Sequence, residues 1–214
     1  MEHICYIVGA APTDGRLPHP AEGDYLIAAD GGFAALDAAG ISPDLVMGDF
    51  DSLGRVPAHP NVLTHSPIKD DTDLILALRW ALERGWKRFV IYGALGGHRL
   101  DQTVASFQTL RFLAERGAKA RILGEGWNVT LLQNGALRFP AVAQGWLSVF
   151  VSGETARGVT LRGLKYTLED ETLSCDYPMG VSNEFQGVEA LVQVTNGSLF
   201  VLWQGDALPE EVSV

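Results

Sequence analysis

The sequence predicts an α/β fold in two parts: an N-terminal parallel-sheet domain, then a smaller antiparallel all-β, sandwich-like domain. Three observations predict it. Continuous apolar runs alternate with helix-like stretches up to about residue 125, the grammar of a parallel sheet covered on both faces. From about Trp127 onward there are only short strand-like runs separated by Gly, Asn and Pro turns. And four successive runs of the first part end in acidic or Gly-rich segments, as the ligand-binding edge of an open parallel sheet should. The domains therefore run 1–125 and 126–214, with no low-complexity linker and no repeat.

In order, HICYIVG reads as a buried strand, followed by a turn-rich stretch with Pro12, Asp14, Gly15, Pro18 and Pro20. YLIAAD is a second strand, and GGFAALDAAG a short helix closed by Gly40. DLVMGD and NVLTHS are strands three and four. TDLILALRWALERG is a helix apolar on nearly every side, and RFVIYGAL is the fifth strand. A helix from about Arg99 to Gly117 places Leu100, Val104, Phe107, Leu110 and Ala114 on one stripe; AKARILG follows as the sixth strand. In the second part WNVTLLQNG, ALRFP, WLSVFVSG, GVTLRGL, VEALVQVTNG and SLFVLWQG are strands. The Asn-Gly of VTNGSLFVL signals a tight hairpin there.

The 214 residues are 47% hydrophobic, ample for a core, and carry a net charge of −10. No basic stripe is present, so nucleic-acid binding has no electrostatic footprint. Two cysteines, Cys5 and Cys175, read as reduced residues rather than a disulfide framework. The start lacks the pattern of a secretory signal and no run is long enough to span a bilayer, so the protein is expected to be cytoplasmic.

The chemistry concentrates in five aspartates: Asp49 and Asp51 in GDFDS, then Asp70, Asp71 and Asp73 in KDDTD. Carboxylates this dense repel one another unless water or a cation lies between them. Magnesium takes hard oxygen ligands and bridges carboxylates to phosphates, which makes phosphoryl transfer the leading chemistry. Asp49 and Asp51 are two apart, so an extended backbone would point both to one side, the alternative being an Asx-type turn with solvated acids. Capping of the following helix accounts for one or two of the KDDTD acids, but not for the acidic pair on the neighbouring strand. Asp30-Gly31-Gly32 reads either as a simple turn or as open backbone N–H groups for a phosphate. In GGHRLDQT, Arg99 suits a phosphate fork, while Asp101 fits a cap, a metal ligand or a ribose contact. Neither a P-loop nor a dinucleotide fingerprint occurs. His98 and His65 read as a turn residue and a strand-end residue, and Trp80, Trp86 and Trp146 fit core positions at least as well as a stacking role.

AADGG, GDFDS, KDDTD, GALGGHRLDQT, GLKYTL and VSNEF, in this order and spacing, resemble the thiamine pyrophosphokinase family across nearly the whole chain. The resemblance implies an ATP- and magnesium-binding catalytic domain and an all-β domain that binds thiamine and dimerises, with active clefts between the subunits of a homodimer. It implies magnesium on Asp49, Asp51 and Asp73. Asp30, Gly31, Thr72, Arg99 and Asp101 would line the ATP side, with Ser182 and Asn183 on thiamine. Lys69 stands where relatives carry glutamine, and Phe185 and Trp127 are the candidate aromatics for the thiamine rings. The activity implied is transfer of pyrophosphate from ATP to thiamine, giving thiamine diphosphate and AMP. Alternatives are a pyrophosphokinase for another small alcohol such as a hydroxymethylpterin, a metal-dependent nucleotide hydrolase, or a non-catalytic small-molecule sensor.

Overall fold

The computed structural model describes residues 3–51, 54–66 and 71–212; Ser52, Lys69 and Asp70 lie outside them. The chain forms two compact units, Met1–Glu125 and Gly126–Val214.

The first unit contains β1 (Cys5–Val8), β2 (Tyr25–Ala29), α1 (Gly32–Ala38), β3 (Leu45–Gly48), β4 (Val62–Thr64), α2 (Asp73–Glu83), β5 (Arg88–Tyr92), α3 (Leu100–Ala114) and β6 (Lys119–Gly124). Its six strands are all parallel, in the order β6-β5-β1-β2-β3-β4. The central strands are buried along almost their whole length, which is why they read as unbroken apolar runs. One face carries a cluster built from Val8, Leu26, Ala28, Val46, Val90 and Tyr92, closed by Leu36 of α1. On the other face Trp80 of α2 stacks on Tyr25, ring centroids 5.5 Å apart. Arg79 of α2 in turn lies over the Phe112 ring of α3. Thr72 caps α2, its Oγ1 accepting from the Ile75 N–H at 3.3 Å, and left-handed Gly85 ends it.

Helix α3 departs from its expected stripe. Leu110 is buried, but its companions inside are Ser106, Thr109 and Leu113, while Leu100 and Val104 are exposed. The reason is the loop before the helix. Ser106 Oγ donates to the Ala94 carbonyl at 2.6 Å, and Gly96 N–H donates to Thr103 Oγ1. Satisfied polar groups dock α3 onto that loop, and the first turn is rotated into solvent.

The second unit contains β7 (Trp127–Phe139), β8 (Trp146–Val151), β9 (Thr155–Arg162), β10 (Leu168–Ser174), β11 (Asn183–Glu184), β12 (Ala190–Gln204) and β13 (Glu210–Val212), with no helix among its described residues. Every pairing between them is antiparallel. The expected hairpin at Asn196-Gly197 is instead a bulge inside the single long strand β12. Gly197 has φ +109, and its N–H donates to the Asn134 side chain, itself on a left-handed residue of β7. Asn-Gly therefore bends a continuous strand rather than reversing it. The two runs read as separate strands around Asn134-Gly135 likewise join as β7. Before the bend β12 pairs with β9, and after it with β8, so one strand serves two layers around a shared core. Phe139 sits there between Phe185 and Trp203, at 5.2 and 5.4 Å. Strand β10 was invisible in the sequence because LEDETLS has no apolar alternation. It is a charged strand with Glu169, Asp170 and Glu171 exposed, a composition that discourages further edge pairing.

Candidate active site

In the first unit the ends of β2 and β3 create the site. Gly48, last in β3, has no room for a side chain: a Cβ would come within 3.0 Å of the Asp30 Cα. The absent side chain lets the two strand ends close up, and three carboxylates follow. Asp30, Asp49 and Asp51 each offer an oxygen, all within 4.8 Å of one another. The backbone between the acids is not extended, as two-residue spacing suggested. Phe50 is left-handed (φ 59) with its ring buried in the core, and Asp30 is left-handed as well (φ 47). Such conformations in non-glycine residues are costly and persist only where packing enforces them. Phe50 is the anchor that holds the loop in this shape. Asp49 Oδ1 also accepts from the Asp51 N–H at 3.3 Å, so the turn-forming role and the clustering coexist.

The Oδ1 of Asp30 is shielded from solvent. A hard-oxygen trio with one shielded member and one exposed member (Asp51) fits a magnesium ion that keeps several waters. Asp30 is the member that the sequence placed on the ATP side only. Its place at a Gly-Gly turn hid it, because a turn explains Asp-Gly-Gly without any ligand. Gly32 does serve the turn: a Cβ there would sit 1.9 Å from the Val8 carbonyl oxygen.

Asp73, expected in the metal set, is the first residue of α2 and is not in this trio. Thr72 is half-buried with its Oγ1 in the helix cap, and Asp71 pairs with Arg79 at 2.7 Å. Arg99 and Asp101, at the start of α3, form a forked pair at 2.9 and 2.6 Å, both exposed. The hydrogen bond between them raises the pKa of Arg99 and lowers that of Asp101. His98 is exposed. His65 donates its backbone N–H to the Gly48 carbonyl, and its Nε2 is buried with no hydrogen-bond partner among the described residues.

In the second unit, Ser182 is exposed and left-handed (φ 59), with its N–H donating to Ser148 Oγ. Asn183 is 1% exposed. Its Nδ2 donates to the Tyr166 carbonyl at 2.6 Å, and its Oδ1 accepts from the N–H groups of Tyr166 and Glu184. Asn183 thus clamps the backbone that presents Tyr166, a residue 59% exposed with Lys165 Nζ 5.6 Å from its ring centroid. Phe185 is a core residue rather than an open stacking face, and Trp146, read as core or stacking, is half exposed. The signal for Tyr166 was its position inside GLKYTL, a stretch with no periodicity of its own.

Comparison with known proteins gives the family. The thiamin pyrophosphokinase catalytic-domain model matches residues 21–122, and the thiamin pyrophosphokinase vitamin B1 binding-domain model matches residues 136–199. The chain belongs to the thiamine pyrophosphokinase family. A thiamine pyrophosphokinase of Bacillus subtilis is 28% identical over 187 residues, spanning 84% of this chain and 87% of the relative. The crystal structure of thiamine pyrophosphokinase from Bacillus subtilis matches with TM-score 0.82 at 27% identity, covering 95% of this chain and 99% of that one. The thiamin pyrophosphokinase of Geobacillus thermodenitrificans matches at 0.78 and 28%, covering 95% and 98%. The Candida albicans enzyme shares the fold at 0.74 with 15% identity, covering 96% and 90%. Family membership makes the chain a thiamine diphosphokinase.

Proposed function

We propose that the chain transfers the β,γ-pyrophosphoryl group of ATP to the hydroxyl of thiamine, releasing AMP, with magnesium held at the β2 and β3 ends. The observation that carries this is the carboxylate trio of Asp30, Asp49 and Asp51. Asp49 and Asp51 are common to the geometry and to the family resemblance. Asp30 is the ligand that the geometry adds, and Asp73 the one that the resemblance adds. A bound magnesium supplies charge neutralisation for the phosphate oxygens.

The chain's own residues position the reactants, which is most of the work in phosphoryl transfer. Thr72 Oγ1 accepts from its helix, leaving its hydroxyl proton for a phosphate oxygen. Gly31 offers backbone beside Asp30 for the ATP side. Arg99 is a fork pre-shaped by Asp101 and open to solvent, ready to take a phosphate in exchange. In the second unit Ser182 contacts thiamine, Asn183 fixes the presenting backbone, and Tyr166 supplies the exposed aromatic face that suits a cationic thiazolium ring. The match of the vitamin B1 binding-domain model to residues 136–199 supports thiamine over a pterin as acceptor. The working form is a cytoplasmic homodimer with active sites at the subunit interface. The test is AMP release from ATP and magnesium with thiamine, a hydroxymethylpterin or no acceptor. Thiamine-dependent release is expected; equal release without acceptor would make the chain a hydrolase.

A further inference from the structure

A cationic place lies on the sheet of the first unit, away from the carboxylates. Tyr6, Val90 and Arg121 are register partners on β1, β5 and β6, and so are Val8, Tyr92 and Leu123. Arg88 is paired with Lys119 one step earlier. Strand alternation puts all of these side chains on one face, the face that α1 closes over β1 and β2. Helices α2 and α3 lie on the other face, with Tyr25. Arg88, Lys119 and Arg121 are therefore three cationic side chains on the β5–β6 side of the α1 face.

Arg121 is the unusual member. It is half-buried, and among the described residues it makes no hydrogen bond and no ion pair. Burial lowers its pKa. The groups acting on it are Tyr92 and Tyr6, which favour its charge, and Arg16, which opposes it; no carboxylate is among them. Burial likewise raises the pKa of both tyrosines, so their hydroxyls stay protonated as donors. Asp14 takes the Arg16 fork, and Asp24 accepts from the N–H groups of Ile4 and Ala21. Removing a guanidinium from water without a partner is costly, and a donor-rich place of this kind complements an anion.

We propose that Arg121, with Lys119, Arg88 and the hydroxyls of Tyr6 and Tyr92, binds a tetrahedral oxyanion of the phosphate class on the α1 face of β5 and β6. Four strand spacings separate β6 from β3, so this place is roughly 15–20 Å from the carboxylates. It is a separate site, and it requires no magnesium.

Thermal unfolding of the full chain in EDTA, with inorganic phosphate against chloride of equal ionic strength, tests it. Phosphate at about five times its dissociation constant should raise the unfolding midpoint by roughly 2–4 °C. The rise should vanish in Arg121→Met, shrink in Lys119→Gln, and persist in Asp49→Asn. Lys119 is exposed, so its variant keeps the test open should Arg121→Met fold poorly. A parallel arm with AMP assigns the source: an Arg121-dependent rise with phosphate alone means the free ion, and with both a phosphate monoester. No rise beyond the chloride control, an undiminished rise in both Arg121→Met and Lys119→Gln, a rise lost in Asp49→Asn, or a rise with AMP alone would each overturn the proposal. In that case Arg121 is a water-solvated guanidinium whose stem packs on the tyrosine rings.

Discussion

At the scale of single residues, the carboxylate trio separates two assignments of the third metal ligand. Asp49→Asn should lower thiamine-dependent AMP release on the order of 10²–10³-fold and raise the magnesium concentration for half-maximal rate. Asp30→Asn should match it in both respects, because its oxygen lies in the same 4.8 Å group. If instead only Asp73→Asn shifts the magnesium requirement, the geometric trio is not the metal site. Asp49 and Asp51 were legible because two acids follow directly on an apolar strand, although one hydrogen bond of the turn also joins them. Asp30 was not, since its place in the carboxylate trio depends on how closely β2 and β3 approach at Gly48, a distance no local pattern encodes. Tyr166 was illegible for a similar reason: its presentation depends on Asn183, seventeen residues later. Tyr166→Ala should raise the KM for thiamine while leaving the KM for ATP within about twofold, as loss of a stacking face removes ground-state binding. Equal effects on both substrates would remove Tyr166 from the thiamine pocket.

Cys5 gives a residue-scale prediction about pH. Burial, with the nearby Asp44 carboxylate, pushes its thiol up to about 12 from 9.0. A raised folded-state pKa means that the neutral thiol is favoured on folding. The stability it contributes is complete below about pH 9 and is lost as pH rises toward 12. Denaturant melts at pH 8 and pH 10.5 should therefore show a fall that Cys5→Ala makes shallower. An unchanged fall would assign the loss to other groups. A thiol reagent should label only the exposed Cys175 in the native state.

The elements show where sequence pattern and tertiary structure part. The first unit's strands could be read directly because buried parallel strands are apolar almost throughout, and even the more exposed β4 kept the apolar pair Val62 and Leu63. The helix α3 stripe failed at Leu100 and Val104, where the polar dock of Ser106 and Thr103 onto the preceding loop overrides apolar periodicity. At Asn196-Gly197 the local signal was correct, since the positive φ is present, but its use was not. A hairpin and a bulge ask the same of glycine. Only the partner strand, with Asn134 opposite, decides between them. Gly197→Ala is predicted to destabilise by about 1–3 kcal/mol, because φ +109 is strained for alanine and its Cβ would lie 2.8 Å from the Thr155 carbonyl oxygen. Urea unfolding measures it. A change below about 0.5 kcal/mol, the usual surface range, would show that the bend relaxes freely.

For the whole molecule, the proposed function requires the acid cluster of the first unit and Tyr166 of the second to serve one reaction. Two arrangements are available: both contributed by one chain, or each by a different subunit of a dimer. Size alone settles the first step, since a homodimer sediments at twice the 23.1 kDa of the chain. Complementation settles the second. Asp49→Asn and Tyr166→Ala each damage every site of their own homodimer. In a mixed dimer with shared sites, one site carries both lesions and the other carries neither. Random re-association of equal amounts makes half the dimers mixed, so about a quarter of wild-type sites should return. If each chain builds its own site, every site in the mixture keeps one lesion and nothing is regained above the average of the two parents. Unfolding and refolding the two variants together, then assaying AMP release with thiamine, distinguishes the outcomes. Recovery is the result expected of clefts between subunits, and its absence in a confirmed mixed dimer would place both halves of the chemistry within one chain.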